Sequence, residues 1–311
     1  MHQSTFPVPD RQTLLAHAAL LAVALIYSLN YFLAREVFAE VPPLGVVTLR
    51  TFFAALIFVL LTRGGTHERI RSRADYGRLA LCALFGVGLN QALFFLGLAR
   101  TVEVNASVLM TTSPLFVFLA AFALRSERLT WRKGLGLLLA FTGAVLLSLR
   151  GRELALGQDT LSGDLMVTTN AACFGLYLVL VRPLMQRYQL FTVVMWVFLF
   201  GCVINVPVGI PALWSVDWAA VSLGGYLRVL YIILFVTVGT YTLNGWALKR
   251  VSAAGVGVYI YLQPVLVALL SLAWADAPIT WGQAGCMLLV FVGVYAVTYR
   301  KKTAQTTSLE R

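Results

Sequence analysis

Charge is what this sequence has least of. Asp, Glu, Lys and Arg make up 12% of its 311 residues while 59% are hydrophobic, and a soluble globular chain carries roughly 25% charged residues. With a mean hydropathy of +0.82, an ordinary water-soluble domain is excluded. Histidine is nearly absent: His2, His17 and His67 lie outside or at the edge of the apolar runs. Cys82, Cys173, Cys202 and Cys286 fall within those runs, far apart, with no Cys-x-x-Cys and no histidine beside them. That spacing excludes a zinc or haem site and predicts buried free thiols, so no metal and no cofactor is expected.

Acidic residues are few and peripheral. All thirteen (Asp10, Glu36, Glu40, Glu68, Asp75, Glu103, Glu127, Glu153, Asp159, Asp164, Asp217, Asp276 and Glu310) fall in loops or at run edges. Pumps and cation antiporters commonly keep a midplane carboxylate as proton relay or cation site. Its absence argues against cation-for-proton exchange and leaves facilitated diffusion, exchange, or proton coupling through another group. No nucleophile–base or metal constellation lies in or beside the apolar runs, so an enzyme is disfavoured. The pairs Gly86/Gly88, Gly134/Gly136 and Gly255/Gly257 sit in no βαβ unit; they are read as points of close helix approach rather than nucleotide loops. Nothing resembles a carbonyl filter or a ring of charges, which leaves a channel as the more distant alternative.

What is present is length of apolar chain. Ten runs, 14–33, 44–62, 79–99, 104–124, 133–149, 164–181, 190–212, 226–248, 253–273 and 282–299, approach bilayer length. They leave no room for an extramembrane domain. The first is followed by no small-residue cleavage site and reads as a retained span. The expected fold is all-α and integral to the membrane, with ten transmembrane helices.

The net charge of +11 could suggest nucleic acid, but its distribution argues otherwise. With ten spans and a cytoplasmic N-terminus, eighteen basic residues fall in inside segments and five (Arg35, Arg100, Arg150, Arg152, Arg228) outside. Basic loops stay in the cytoplasm, so both termini, 1–11 and 301–311, are expected there as short tails, with the lipid bilayer and a small-molecule substrate as partners. The oligomeric state is open, and a monomer fits the pattern. Three outside arginines have mates in the other half, Arg35 with Arg182, Arg100 with Arg250 and Arg150 with Arg300. Each sits at the C-terminal end of its helix, where a cation meets bare carbonyls.

One pattern occurs twice, 150 residues apart: 104–150 and 254–300 share 12 identities in 47 positions, including Pro114/Pro264, Trp131/Trp281 and Gly143/Gly293. The connector basic at Arg125, Arg128, Arg132 and Lys133 loses all four charges at Ala275, Pro278, Gly282 and Gln283. Such a repeat suits opposite insertion. The expected organisation is two inverted five-helix repeats, 12–151 and 162–300.

Tyr27-Ser-Leu-Asn30-Tyr31-Phe32, Pro43 through Arg50, Ala106 through Pro114, Glu127-Arg128-Leu-Thr-Trp131 and the echo Tyr261-Leu-Gln263-Pro264 carry a resemblance over nearly the whole chain. The chain resembles the EamA type of the drug/metabolite transporter superfamily. The resemblance implies a bacterial inner-membrane exporter of amino acids or other small metabolites, or of drugs, working by alternating access. One departure is Ala277, standing where the first copy has Glu127.

Neutral polar residues cluster mid-span: Tyr27, Ser28, Asn30 and Tyr31; Asn90 and Gln91; Thr111, Thr112 and Ser113; Asn170 and Tyr177; Tyr241, Asn244 and Trp246; Tyr259, Tyr261 and Gln263. Singly, each could serve interhelical hydrogen bonding, worth about 0.6 kcal/mol. Together they spare the fifth and tenth runs, which packing alone does not explain. The expected substrate-facing set is Tyr27, Asn30, Tyr31, Asn90, Gln91, Thr111, Ser113, Tyr177, Tyr241, Asn244, Tyr259 and Gln263, whose aromatic content suits an aromatic or apolar amino acid. Pro114 and Pro264 free a carbonyl one turn earlier, near Met110 and Ile260, as interrupted transporter helices do beside a midplane site. Arg50, the one charge well inside a span, has two readings: a structural arginine that snorkels or pairs with Glu36 or Glu40, or a group on the substrate path.

Overall fold

The computed structural model describes residues 11–63, 68–101, 103–126, 130–149, 158–275 and 281–298, omitting the side chains of residues 31, 32, 35, 103, 104, 107, 158, 159 and 271–275. Among the described residues every regular element is helical. In hydrocarbon no water satisfies backbone N–H and C=O groups, and a helix satisfies them within one segment. The helices are α1 (Arg11–Phe38), α2 (Pro43–Arg63), α3 (Arg73–Leu98), α4 (Glu103–Met110), α5 (Ser113–Ala123), α6 (Trp131–Leu149), α7 (Gln158–Arg187), α8 (Leu190–Trp214), α9 (Leu223–Leu248), α10 (Ala253–Leu270, its helix continuing to Ala275) and α11 (Trp281–Thr298).

Nine of these are long and apolar enough to cross a membrane; the fourth run is a shorter apolar helical stretch, Val108–Ala123. That run breaks because Pro114 offers no N–H: the amides of Thr111 and Thr112 bond the carbonyls of Val108 and Leu109 at 3.1 and 3.0 Å, tightening the turn. Pro114 then opens α5, the position where a missing N–H costs least. At the same register, 150 residues on, α10 narrows to a 3₁₀ turn over Val258–Tyr261 before Pro264. The proline thus restarts the helix rather than merely bending it. Two further irregularities recur likewise: α3 widens to a π-helical turn over Leu84–Gly88 and α9 over Ile232–Gly239.

The packing is reciprocal. α2 lies along α8, and α6 along α11; α7 packs on α3 and α5, as α1 packs on α9 and α10. Apolar clusters fill these contacts. Phe58, Phe198, Leu178 and Met185 anchor the largest, Val258, Tyr261 and Val290 a second, and Val46, Phe95 and Ile232 a third. The outer surface stays apolar: Leu21, Phe52, Leu60, Val203, Leu230, Phe235, Leu288 and Phe291 are exposed. Trp131 and Trp281, 82% and 95% exposed, stand at the starts of α6 and α11, where membrane-interface tryptophans belong. The four cysteines are free; Cys82 and Cys173 are buried as expected, whereas Cys202 and Cys286 are only half-buried.

Candidate functional site

The π-helical turns explain where polar groups gather. Widening a helix pushes backbone carbonyls off the regular ladder, and in an apolar interior each needs a donor. In α3, Gly86 O receives the Tyr241 hydroxyl from α9, and Val87 O receives Asn205 Nδ2 from α8 at 3.2 Å. Asn205 also donates to Thr51 Oγ1 at 3.1 Å, and Gln91 Nε2 reaches the Tyr241 hydroxyl at 3.5 Å. In α9 the bulge is served from within: Thr237 Oγ1 donates to Ile232 O at 2.8 Å and Thr240 Oγ1 to Val236 O at 2.7 Å. Each threonine oxygen then accepts across the interface. Arg50 Nε donates to Thr237 at 2.9 Å, and the Tyr27 hydroxyl lies 3.0 Å from Thr240 Oγ1.

Four of these side chains, Tyr27, Arg50, Gln91 and Tyr241, border a cavity of about 90 Å³ among α1, α2, α3, α4, α7, α9 and α10. Tyr27, Asn30, Arg50, Asn90, Gln91, Asn170, Tyr241 and Gln263 supply its polar wall. Phe94, Phe95, Met110, Phe174, Val236 and Ile260 supply the apolar one. Asn90 and Asn170 are locked by a reciprocal pair, Asn170 Nδ2 to Asn90 O at 2.6 Å and Asn90 Nδ2 to Asn170 O at 3.4 Å. A smaller hollow beside it shares Tyr27, Phe174, Ile260 and Gln263 and adds Asn244 and Tyr259. There Tyr259 meets His17, its hydroxyl 2.8 Å from Nδ1. The polar-poor helices α6 and α11 contribute to neither wall.

Of the expected set, then, Tyr27, Asn30, Asn90, Gln91, Tyr241 and Gln263 line the main cavity, and Asn244 and Tyr259 the annex. Three do not. Thr111 is buried with its hydroxyl on Val108 O at 2.6 Å, repairing the break in its own chain. Ser113 is buried at the start of α5. Tyr177 lies behind the wall, its ring 5.8 Å from that of Tyr241. The side chain of Tyr31 lies outside the described residues. Pro114 and Pro264 do not line the cavity, but Met110 and Ile260, four residues before them, both do.

Arg50 is buried and does not pair with Glu36 or Glu40. Both glutamates instead meet Arg228 at the corner joining α1, α2 and the start of α9. Arg50 lies in mid-helix, out of their reach, with its guanidinium carbon 5.3 Å from the Phe95 ring centre. At the opposite end of the bundle Asp75, at the start of α3, accepts from the Tyr188 hydroxyl at 2.7 Å and pairs with Arg187 at 3.2 Å. Arg100 and Arg250 donate to carbonyls one turn back, Leu96 at 3.2 Å and Trp246 at 2.9 Å, as their helix-end positions predict.

Glu40 accepts from Ser222 N at 2.6 Å and Ser222 Oγ at 2.9 Å, an anion on a helix N-terminus. Those bonds, with Arg228 behind them, hold its carboxyl below the usual carboxylate range. A depressed pKa stabilises the clamp above the unfolded value and loses that support as pH falls through the folded one. Glu40→Gln at neutral pH, or acidification of the unmutated protein, should therefore speed hydrogen–deuterium exchange of the Ser222 amide, after correction for intrinsic rates. Unchanged exchange in both would refute the clamp.

Comparison with known proteins agrees with this geometry. A transporter of Archaeoglobus fulgidus is 25% identical over 295 residues, covering 92% of this chain and 98% of its own. A protein of Streptantibioticus cattleyicolor named "Probable terminal-alkyne amino-acid exporter" is 24% identical over 229 residues, covering 73% and 75%. A solved crystal structure matches with a TM-score of 0.73 at 20% identity, over 92% of this chain and 96% of its own, which speaks for the fold alone. The EamA-like transporter family model matches twice, at residues 14–149 and 161–299. With a helical bundle and a family match along both halves, the chain belongs to the EamA-like transporter family.

Proposed function

We propose that this protein is a bacterial inner-membrane carrier that exports small metabolites, amino acids foremost, by alternating access. In this reading ten helices cross the bilayer, the nine long spans plus α4 and α5 together as one broken crossing. Segments 12–151 and 162–300 are inverted repeats, and both termini are cytoplasmic. The recurrence of the π turns and proline breaks in both halves supports the repeat. The reciprocal helix pairing supports it too. The uneven spread of basic residues supports the orientation.

The observation that carries the function is the cavity itself, walled by both halves and bordered by Met110 and Ile260 at the breaks. A site at the joint between two repeats suits a bundle that rocks about its substrate. A cavity of about 90 Å³ favours a small metabolite over a bulky drug. The name of the relative from Streptantibioticus cattleyicolor favours amino acids. Export of drugs or other metabolites is the alternative.

Purified protein in vesicles preloaded with single unlabelled amino acids should accumulate the labelled counterpart by saturable counterflow. Absence of counterflow for every amino acid, with dye efflux accelerated, would favour the alternative. Single-channel currents would point to a pore.

A further inference from the structure

Among the described residues, the main cavity has one charged wall residue, Arg50, and no carboxylate. A guanidinium carries five N–H donors in a planar fork. Among the described residues, the one hydrogen bond of Arg50 runs from Nε to Thr237, which leaves the two terminal nitrogens unspent. A buried cation with idle donors is costly unless an anion or water meets it. The fork geometry fits a carboxylate with two parallel bonds.

The same cavity holds the opposite need. Asn170 is 1% exposed and Asn30 7%, and the side-chain carbonyl oxygens of both have no protein donor among the described residues. For Asn170 the assignment of oxygen and nitrogen is set by chemistry, since its Nδ2 is committed to Asn90 O at 2.6 Å. Two buried acceptors without donors, in the lining of the same cavity as a donor fork without acceptors, describe a ligand with an anionic end and an N–H-rich end.

We propose that Arg50 receives the α-carboxylate of the transported amino acid, and that the carbonyls of Asn170 and Asn30 receive its ammonium, so that the two ends are read separately. This rests on the carrier reading above. Phe94 and Phe174 are left for the side chain. A carboxylic acid without an ammonium leaves the asparagine carbonyls orphaned. An amine without a carboxylate brings a like charge to Arg50.

The test is ligand-dependent thermal stabilisation of the purified full-length protein, a readout that needs no transport. The ligands are each proteinogenic amino acid, its α-amide and its α-hydroxy acid. For the best amino acid we expect both analogues to bind about tenfold to a hundredfold more weakly, the loss of one charge-assisted contact at either end. In Arg50→Gln the acid should lose its advantage over the amide while the amine-dependent difference remains. In Asn170→Leu the reverse should hold. An amide that binds as well as the acid overturns the Arg50 assignment, and a hydroxy acid that binds as well overturns the asparagine one. These ligand comparisons use the unmutated protein and stand even where a variant fails to fold. If no amino acid binds but hydroxy acids do, the amino-acid reading falls with the ammonium site and the Arg50 contact survives. If nothing bearing a carboxylate binds, both fall.

Discussion

Gly293→Leu should remove folded protein from the membrane extract, or lower its unfolding midpoint steeply, while Leu288→Ala on the same helix should do little. The reason lies where α6 crosses α11. A Cβ built on Gly293 would stand 2.5 Å from both Ala140 N and Gly136 O, which are backbone atoms that no rotamer change can move. The mate of Gly293, Gly143, makes the same approach in reverse: its Cβ would lie 2.7 Å from Cys286 O and 2.9 Å from Leu289 Cβ. Both glycines therefore serve one crossing, which explains their survival in the 150-residue echo. Between helices in lipid, close backbone approach supplies much of the attraction that the hydrophobic effect supplies in water. Overpacking a filled core costs about 1–3 kcal/mol when neighbours can shift, and a branched side chain against backbone should exceed that range. Leu288 points to lipid and loses only contacts with acyl chains. Thermal unfolding in detergent, read by size-exclusion recovery, separates the two. Equal midpoints for both variants would refute the crossing.

Much of this arrangement was legible because membrane chemistry simplifies the alphabet. A polar residue in a span must meet a partner or a cavity, so Tyr27, Asn90, Gln91, Tyr241 and Gln263 announced themselves by type. The polar-poor fifth and tenth runs likewise foretold α6 and α11, which face each other rather than the site. The apolar wall was not legible. Phe94, Phe174, Met110 and Val236 look the same in sequence whether they face substrate, lipid or a neighbouring helix.

Hydroxyls misled for a related reason. Thr111 can satisfy itself on its own helix, and does so on Val108 O, so a polar type there carries no information about a cavity. The π turns have no residue signature either. The turn in α3 shows only through the donors it recruits from other helices, Tyr241 and Asn205, and the turn in α9 through its own Thr237 and Thr240. The pairing of Arg228 with Glu36 and Glu40 joins residues far apart in sequence, and charge counting alone could not assign it.

Arg50→Met should separate stability from transport more sharply than any other substitution in the cavity. Methionine keeps much of the stem and removes the charge. Placing an arginine at the centre of a membrane helix costs about 2.5–3.5 kcal/mol on insertion scales, and the substitution relieves that cost. Against it stand the bond from Nε to Thr237, worth about 1.5–3 kcal/mol for a charged donor, and the approach to Phe95, worth about 0.5–2 kcal/mol. The opposing contributions nearly cancel. Thr237 is not orphaned either, because its hydroxyl still donates to Ile232 O at 2.8 Å. The folded state should thus change by about 1 kcal/mol or less, within the scatter of such contributions. Counterflow should fall by about a hundredfold, since a carboxylate would then enter an apolar wall with no counter-charge. A structural arginine behaves in the opposite way: removing it would unfold the protein, and Arg50→Lys would restore both folding and flux. Lysine offers a point charge rather than a fork, so under the binding role it should fold normally and transport poorly. Midpoint and flux measured on the same three preparations, unmutated, Arg50→Met and Arg50→Lys, decide between the two roles.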